Sequence, residues 1–116
     1  MNRTTFIELL EKRDFKTLKN TLEIMNAVDI ALLLSNLEDK ERAFAFRLIP
    51  KDKAADVFSN MSNPIQSYLV KIFTEKELRE LLDNLYMDDT VDLLEELPAN
   101  LVTRILHTVS SDKRDL

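Results

Sequence analysis

The chain gathers carboxylates in one short run, Asp88, Asp89 and Asp92 followed by Glu95 and Glu96. If that run is helical, Asp88 and Asp92 share one helix face, and Glu95 and Glu96 extend the acidity along it. Carboxylate oxygens are hard ligands. Mg2+ takes one or two of them from a protein while keeping several of its own waters. Such a pair suits a weak, hydrated site shared with a second surface. The same residues have another reading, because acidic side chains in a first helical turn stabilise the helix dipole and cap free N–H groups without any metal. Paired carboxylates also carry out glycoside hydrolysis. Four-residue spacing on a convex helix, however, puts no pocket around them. No nucleophile–base pair, phosphate loop or metal-hydrolase spacing accompanies them, so the sequence offers no enzyme.

The elements that would position these residues are set by a repeat. An apolar-apolar-x-x-apolar pattern returns every twelve residues, seven times in succession. It runs through Leu33-Leu34 with Leu37, Ala45-Phe46 with Ile49, Val57-Phe58 with Met61, and Leu69-Val70 with Phe73. It continues through Leu81-Leu82 with Leu85, Leu93-Leu94 with Leu97, and Ile105-Leu106 with Val109. Positions i, i+1 and i+4 form one stripe on an α-helix, whereas a strand would place i and i+1 on opposite faces. The period leaves about nine residues for a helix and about three for a turn, giving helices only about 14 Å long. Helices this short are marginal in water, so they must be stabilised by neighbours that cover the stripe.

A longer period lies inside the first. Leu33 to Leu37, Val57 to Met61 and Leu81 to Leu85 are 24 residues apart and share an Asn at the fourth position. Three residues before the stripes of that series stand Ile30, Ala54, Leu78 and Val102, where the intervening stripes have Arg42, Gln66 and Thr90. Alternate helices are therefore expected to have a wide and a narrow apolar face. The unit is read as a helical hairpin of 24 residues, and a stack of about four makes an all-α solenoid. Six leucines of the late stripes, Leu81, Leu82, Leu85, Leu93, Leu94 and Leu97, are expected to be largely buried.

Turn signals fit these boundaries. Pro50 and Pro98 directly follow stripes. Asn63-Pro64-Ile65-Gln66 reads as an N-cap with Pro at the first helical position, and Thr74 to Glu77 as a capping box, with a weaker version from Asn26 to Asp29. Asn36, Asn60 and Asn84 fall near helix C-termini, where they serve the turns. His107, the one histidine, occupies a surface position near a helix end and has no second nitrogen or thiolate partner for zinc. Phe44, Phe46, Phe58, Tyr68 and Phe73 read as core and inter-helix packing. At the start, Arg13 and Thr21 break the phase. One domain is expected over 1–116, with residues 1–26 an irregular capping hairpin, 27–109 the repeats, and 110–116 a restarting helix or a boundary within a longer protein.

Composition narrows the function classes. The chain has no glycine and no cysteine. Gly-rich phosphate loops, disulfides, thiolate metal sites and a Cys nucleophile are thereby excluded. No apolar run approaches the length of a bilayer span, and no signal peptide opens the chain. A net charge of −5 disfavours nucleic acid and anionic membrane as partners and permits cations and basic protein surfaces.

The run Met87-Asp88-Asp89-Thr90-Val91-Asp92-Leu93-Leu94-Glu95-Glu96-Leu97-Pro98 resembles the D-D-x-x-D-L-L-E-E-L-P signature of the N-terminal cytoplasmic domain of MgtE magnesium transporters. Phe46-Arg47-Leu48-Ile49-Pro50 and Ala54-Ala55-Asp56-Val57-Phe58 are similar to two further patterns of that family, F-R-L-L-P and A-A-[DE]-V-F. The resemblance covers about residues 27–116. It implies a right-handed superhelix of short helices that precedes a CBS pair and a Mg2+-conducting membrane domain. Mg2+ bound between the cytoplasmic domains would hold the pore closed. This chain would be the sensing and gating part, cytoplasmic, at the cytosolic face of the plasma membrane, with a possible homodimer formed through the full-length protein. The ion would be weakly bound and shared, with Asp88, Asp89 and Asp92 as its candidates. The resemblance adds Asp56, which as a lone surface acid also reads as a solvated face.

Short hairpins of this kind also resemble the middle region of the flagellar motor switch protein FliG, although the Glu-His-Pro-Gln motif of that family is absent. The alternative function is accordingly a free-standing armadillo-like adaptor that binds a helix or domain edge without Mg2+.

Overall fold

The computed structural model describes the backbone of residues 1–114 and the side chains of residues 1–109. Among the described residues every regular element is a helix. They are α1 (Arg3–Glu11), α2 (Phe15–Ile24), α3 (Ala27–Ser35), α4 (Asp39–Leu48), α5 (Lys51–Ser59), α6 (Asn63–Ile72), α7 (Glu75–Asn84), α8 (Met87–Glu96) and α9 (Ala99–Arg114). The chain is all-α. Successive helices begin 12 residues apart, from Arg3 through to Ala99. Helices α3 to α8 are 9 or 10 residues long, as a twelve-residue period with a short turn requires.

The register extends to α1 and α2, where the apolar pattern is broken. Arg13 breaks it for a local reason, having a left-handed φ of 56°. The Arg13 N–H bonds to the Leu10 carbonyl and the Asp14 N–H to the Leu9 carbonyl, at 3.0 and 2.9 Å. This pair of bonds is the Schellman closure of a helix end. Glycine is the usual residue there, and a chain without glycine uses arginine at a cost of about 1–2 kcal/mol.

At the other end, residues 110–114 do not restart a helix but continue α9 unbroken. Residues 115 and 116 of the expected tail lie outside the described residues. His107 is exposed as expected, but it lies within this long helix rather than near its end.

The chain divides into two compact units, Met1–Met61 and Ser62–Leu116. In the first, α1 packs on α2, α2 on α4, and α3 on both α4 and α5. Its core holds Phe6, Leu18, Leu22, Ile30, Leu34 and Phe58, all essentially inaccessible to solvent. In the second, α9 packs on α6 and α7 over Leu69, Val70, Leu78 and Ile105.

The first four stripes are buried at all three positions. The later ones are only partly covered. Leu81, Leu93, Leu97 and Ile105 are buried, but Leu82, Leu85 and Leu94 are half-buried, and Leu106 and Val109 are exposed. Periodicity marks the side of a helix that can pack, whereas burial also needs a neighbour lying over it. Leu81→Ala is therefore expected to lower unfolding free energy by about 2–5 kcal/mol, and Leu82→Ala by clearly less, because less surface is lost from a half-open site. Urea denaturation of the two variants checks the order.

Arg42 and Gln66, expected on narrow apolar faces, are themselves buried. The faces differ in chemistry rather than in width. The Arg42 guanidinium closes the end of α3, with Nε donating to the Leu34 carbonyl at 2.8 Å and Nη2 to the Leu37 carbonyl at 2.6 Å. Nη1 meets Asp39 at 2.8 Å. In the same unit, Lys53 Nζ donates to the Leu22, Glu23 and Met25 carbonyls at the end of α2, at 3.3, 2.6 and 2.7 Å. In the second unit Arg104 donates to the Val70 and Phe73 carbonyls at the end of α6. Each cation supplies donors to carbonyls at a helix end, where intrahelical partners run out, and sits at the negative end of the dipole.

Caps fix the other ends. The Thr74–Glu77 box forms, and so does a Glu38–Glu41 box that the sequence reading passed over. Asn26 Oδ1 accepts from the Asp29 N–H at 2.8 Å. The cap of α6 is Ser62 rather than Asn63, so the Pro sits one position further in. Asn36, Asn60 and Asn84 each donate to the carbonyl four residues earlier, at 3.0, 2.8 and 2.8 Å. They serve helix ends.

Candidate functional site

Helix α8 is held by Leu93 and by Leu97 at its C-cap, both buried. Its far end is tied to α6 through Asn63 Nδ2, which donates to Glu96 Oε2 at 3.2 Å. With that side buried, Asp88, Asp92 and Glu95 are exposed and Asp89 is half-buried. Asp88 and Asp92 stand one turn apart, where side chains four residues apart are neighbours with about 5–6 Å between their Cβ atoms.

The capping alternative can be tested on hydrogen bonds. The cap residue of α8 is Tyr86, which makes no side-chain cap bond. Among the described residues no hydrogen bond or ion pair reaches the carboxylates of Asp88, Asp89 or Asp92. What remains of that alternative is the favourable position of Asp88 and Asp89 at the positive end of the helix dipole. The carboxylates are thus open to an external cation.

Asp56 lies on α5 in the first unit, also exposed. Its backbone carbonyl accepts from Asn60, and its carboxylate has no partner among the described residues. It does not belong to the unit that carries the α8 acids. Among the described residues no three His, Cys, Asp or Glu side chains come together to hold a metal ion. The donor set on α8 is hard and anionic, as Mg2+ needs, and too small to enclose one. It fits an ion that keeps its waters and takes further ligands from elsewhere.

Two neighbours of these acids escaped the sequence reading. Tyr86 and Met87 are 71% and 79% exposed at the start of α8. The signal for them was the twelve-residue register itself, because the matching positions of most other helices are polar. Of the five aromatics expected in core and inter-helix packing, three are in the core and Phe44 makes an inter-helix ring contact. Phe46, Phe58 and Phe73 are buried, whereas Phe44 is exposed against Phe15 and Tyr68 is half-buried.

Short helices in fixed register, with an acidic helix start that finds no partner among the described residues, define an all-helical repeat domain. The family model of the MgtE intracellular N domain matches residues 25–116, and the chain belongs to that family. The match takes in α3 to α9. Its members are regulatory domains of magnesium transporters. A search of curated proteins finds no match. No helix among the described residues is long and apolar enough to cross a membrane.

Proposed function

We propose that this chain is the non-catalytic cytoplasmic regulatory domain of a magnesium transporter or channel, which senses intracellular Mg2+ and gates the pore by ion-dependent docking to neighbouring domains. The observation that carries the reading is the unpaired trio Asp88, Asp89 and Asp92 within a chain of the MgtE N-domain family. These residues hold the hydrated ion weakly from one side, with Asp56 a further candidate on the first unit. A CBS pair and membrane domain of the same transporter supply the opposing surface. Bound Mg2+ neutralises carboxylates that otherwise repel an acidic partner. It shifts the equilibrium toward the docked state by its differential affinity for that state.

The test is made in the full-length transporter carrying this domain. Mg2+ is expected to protect its interdomain segments from limited proteolysis. Asp88→Asn with Asp92→Asn is expected to remove that protection while leaving the helical circular dichroism intact. Protection that is indifferent to Mg2+ in the parent protein would instead favour the adaptor reading.

A further inference from the structure

The start of α8 carries large apolar residues where most other helices of the chain have small or polar ones. In the twelve-residue register the residue before each helix is Asn2, Asp14, Asn26, Glu38, Pro50, Ser62, Thr74 or Pro98, and before α8 alone it is Tyr86. Tyrosine is a poor cap residue, and α8, like α5 and α6, has no side-chain cap bond. The following position is Asp39, Lys51, Asn63 or Glu75 in the four preceding helices, and Met87 here. One turn on, Ala31, Ala43 and Ala55 are buried in their helices, whereas Val91 is exposed. Three large apolar side chains, Tyr86, Met87 and Val91, therefore lie exposed around the start of one helix. Folding of α8 gains nothing from their exposure.

The helix wheel sets them beside the acids. At 100° per residue Met87 and Val91 form one exposed row, and Asp88, Asp92 and Glu95 form the row next to it. Tyr and Met are enriched in the buried centres of protein interfaces, and Asp and Glu are depleted there, so the acids belong to the rim and need cationic partners across it. An anionic surface would be repelled, and a purely cationic one would leave Tyr86 and Met87 uncovered.

We propose that the exposed face of α8, with Tyr86, Met87 and Val91 as its apolar row and Asp88, Asp92 and Glu95 beside it, docks a cationic amphipathic helix. The apolar side of that helix covers the first row, and its Lys or Arg side chains meet the second. This is helix recognition by spaced anchors. It needs no metal and does not rest on the Mg2+ reading, although both use Asp88 and Asp92.

The test titrates the 116-residue chain, in chelator, with a synthetic 18-residue Leu/Lys amphipathic peptide, followed by amide chemical shifts. A peptide of equal charge with Ser in place of Leu is the comparator. Saturable shifts confined to the start of α8 are expected from the first peptide, with at least tenfold weaker binding of the second. Tyr86→Ser supplies a cap residue, so it is expected to raise the thermal unfolding midpoint while weakening peptide binding at least tenfold. Asp88→Asn with Asp92→Asn is expected to weaken binding and flatten its salt dependence. Equal binding of the two peptides would overturn the proposal, as would shifts spread over all the acidic helices or an affinity unchanged by Tyr86→Ser. Because chelator is present throughout, failure here leaves the metal reading to its own test.

Discussion

Arg42→Met is expected to destabilise the protein by about 3 kcal/mol, measured by chemical denaturation. The guanidinium is buried, and its bonds to the Leu34 and Leu37 carbonyls close the end of α3. Methionine fills much of the volume but removes the guanidinium donors, leaving the Leu34 carbonyl only its backbone partner, the Leu37 N–H at 3.1 Å, in a place water hardly reaches. A bond to a charged group contributes about 1.5–3 kcal/mol, and an orphaned buried acceptor adds its own desolvation. The ion pair with Asp39 contributes little, because that carboxylate is 61% exposed. Arg42→Lys keeps the charge and loses the fork that reaches two carbonyls at once, so it is expected to recover only part of the loss. A loss below about 1 kcal/mol in Arg42→Met would mean that this helix end is satisfied by water.

Phe58→Ala is expected to cost about 3–5 kcal/mol. The ring is fully buried and meets Phe46 edge-on, with centroids 6.4 Å apart and planes at 74°. An aromatic pair of this kind adds about 0.5–1.5 kcal/mol beyond its buried area. Phe44→Ala is the contrast. Its ring is part-exposed against Phe15, itself part-exposed, at 5.4 Å, so little cavity forms when it is removed. Equal losses from Phe58→Ala and Phe44→Ala, read from denaturation midpoints at unchanged slope, would contradict the packing described for the first unit.

These two sites show what the sequence made legible. Phe58 is a stripe residue, and a twelve-residue apolar period is sufficient to place it inside a helix and on its buried side. The same period located the helix starts, because a short helix and a tight turn leave little freedom in length. Arg42 also lies at a stripe-related position, but its role depends on the carbonyls of the preceding helix end, which no one-dimensional pattern contains. Lys53 reaches back about 30 residues for the same purpose, beyond any local signal. The late stripes show the converse limit. Leu106 fits the pattern as well as Phe58 does, yet it is 52% exposed because no described helix covers it. The period likewise says nothing about the hand of a superhelix, which came only with the family resemblance.

The acidic run was legible as chemistry but not as a site. Sequence spacing placed Asp88 and Asp92 on one helix face and left capping and ion contact as rivals. Among the described residues no hydrogen bond that capping would use reaches the three carboxylates. Asp56 lies on the other unit. Tyr86 was readable only by comparison with its eight counterparts in the register, since a single exposed tyrosine carries no signal.

The most direct test of the ion-sensing account is an NMR titration of the chain with Mg2+, with Ca2+ as comparator, following side-chain carboxylate and amide shifts. The account predicts saturable, weak binding with shifts centred on Asp88, Asp89 and Asp92, with Asp56 tested alongside. Small shifts spread evenly over the acidic residues and abolished by monovalent salt would contradict it. They would mean that Mg2+ only screens a surface of net charge −5.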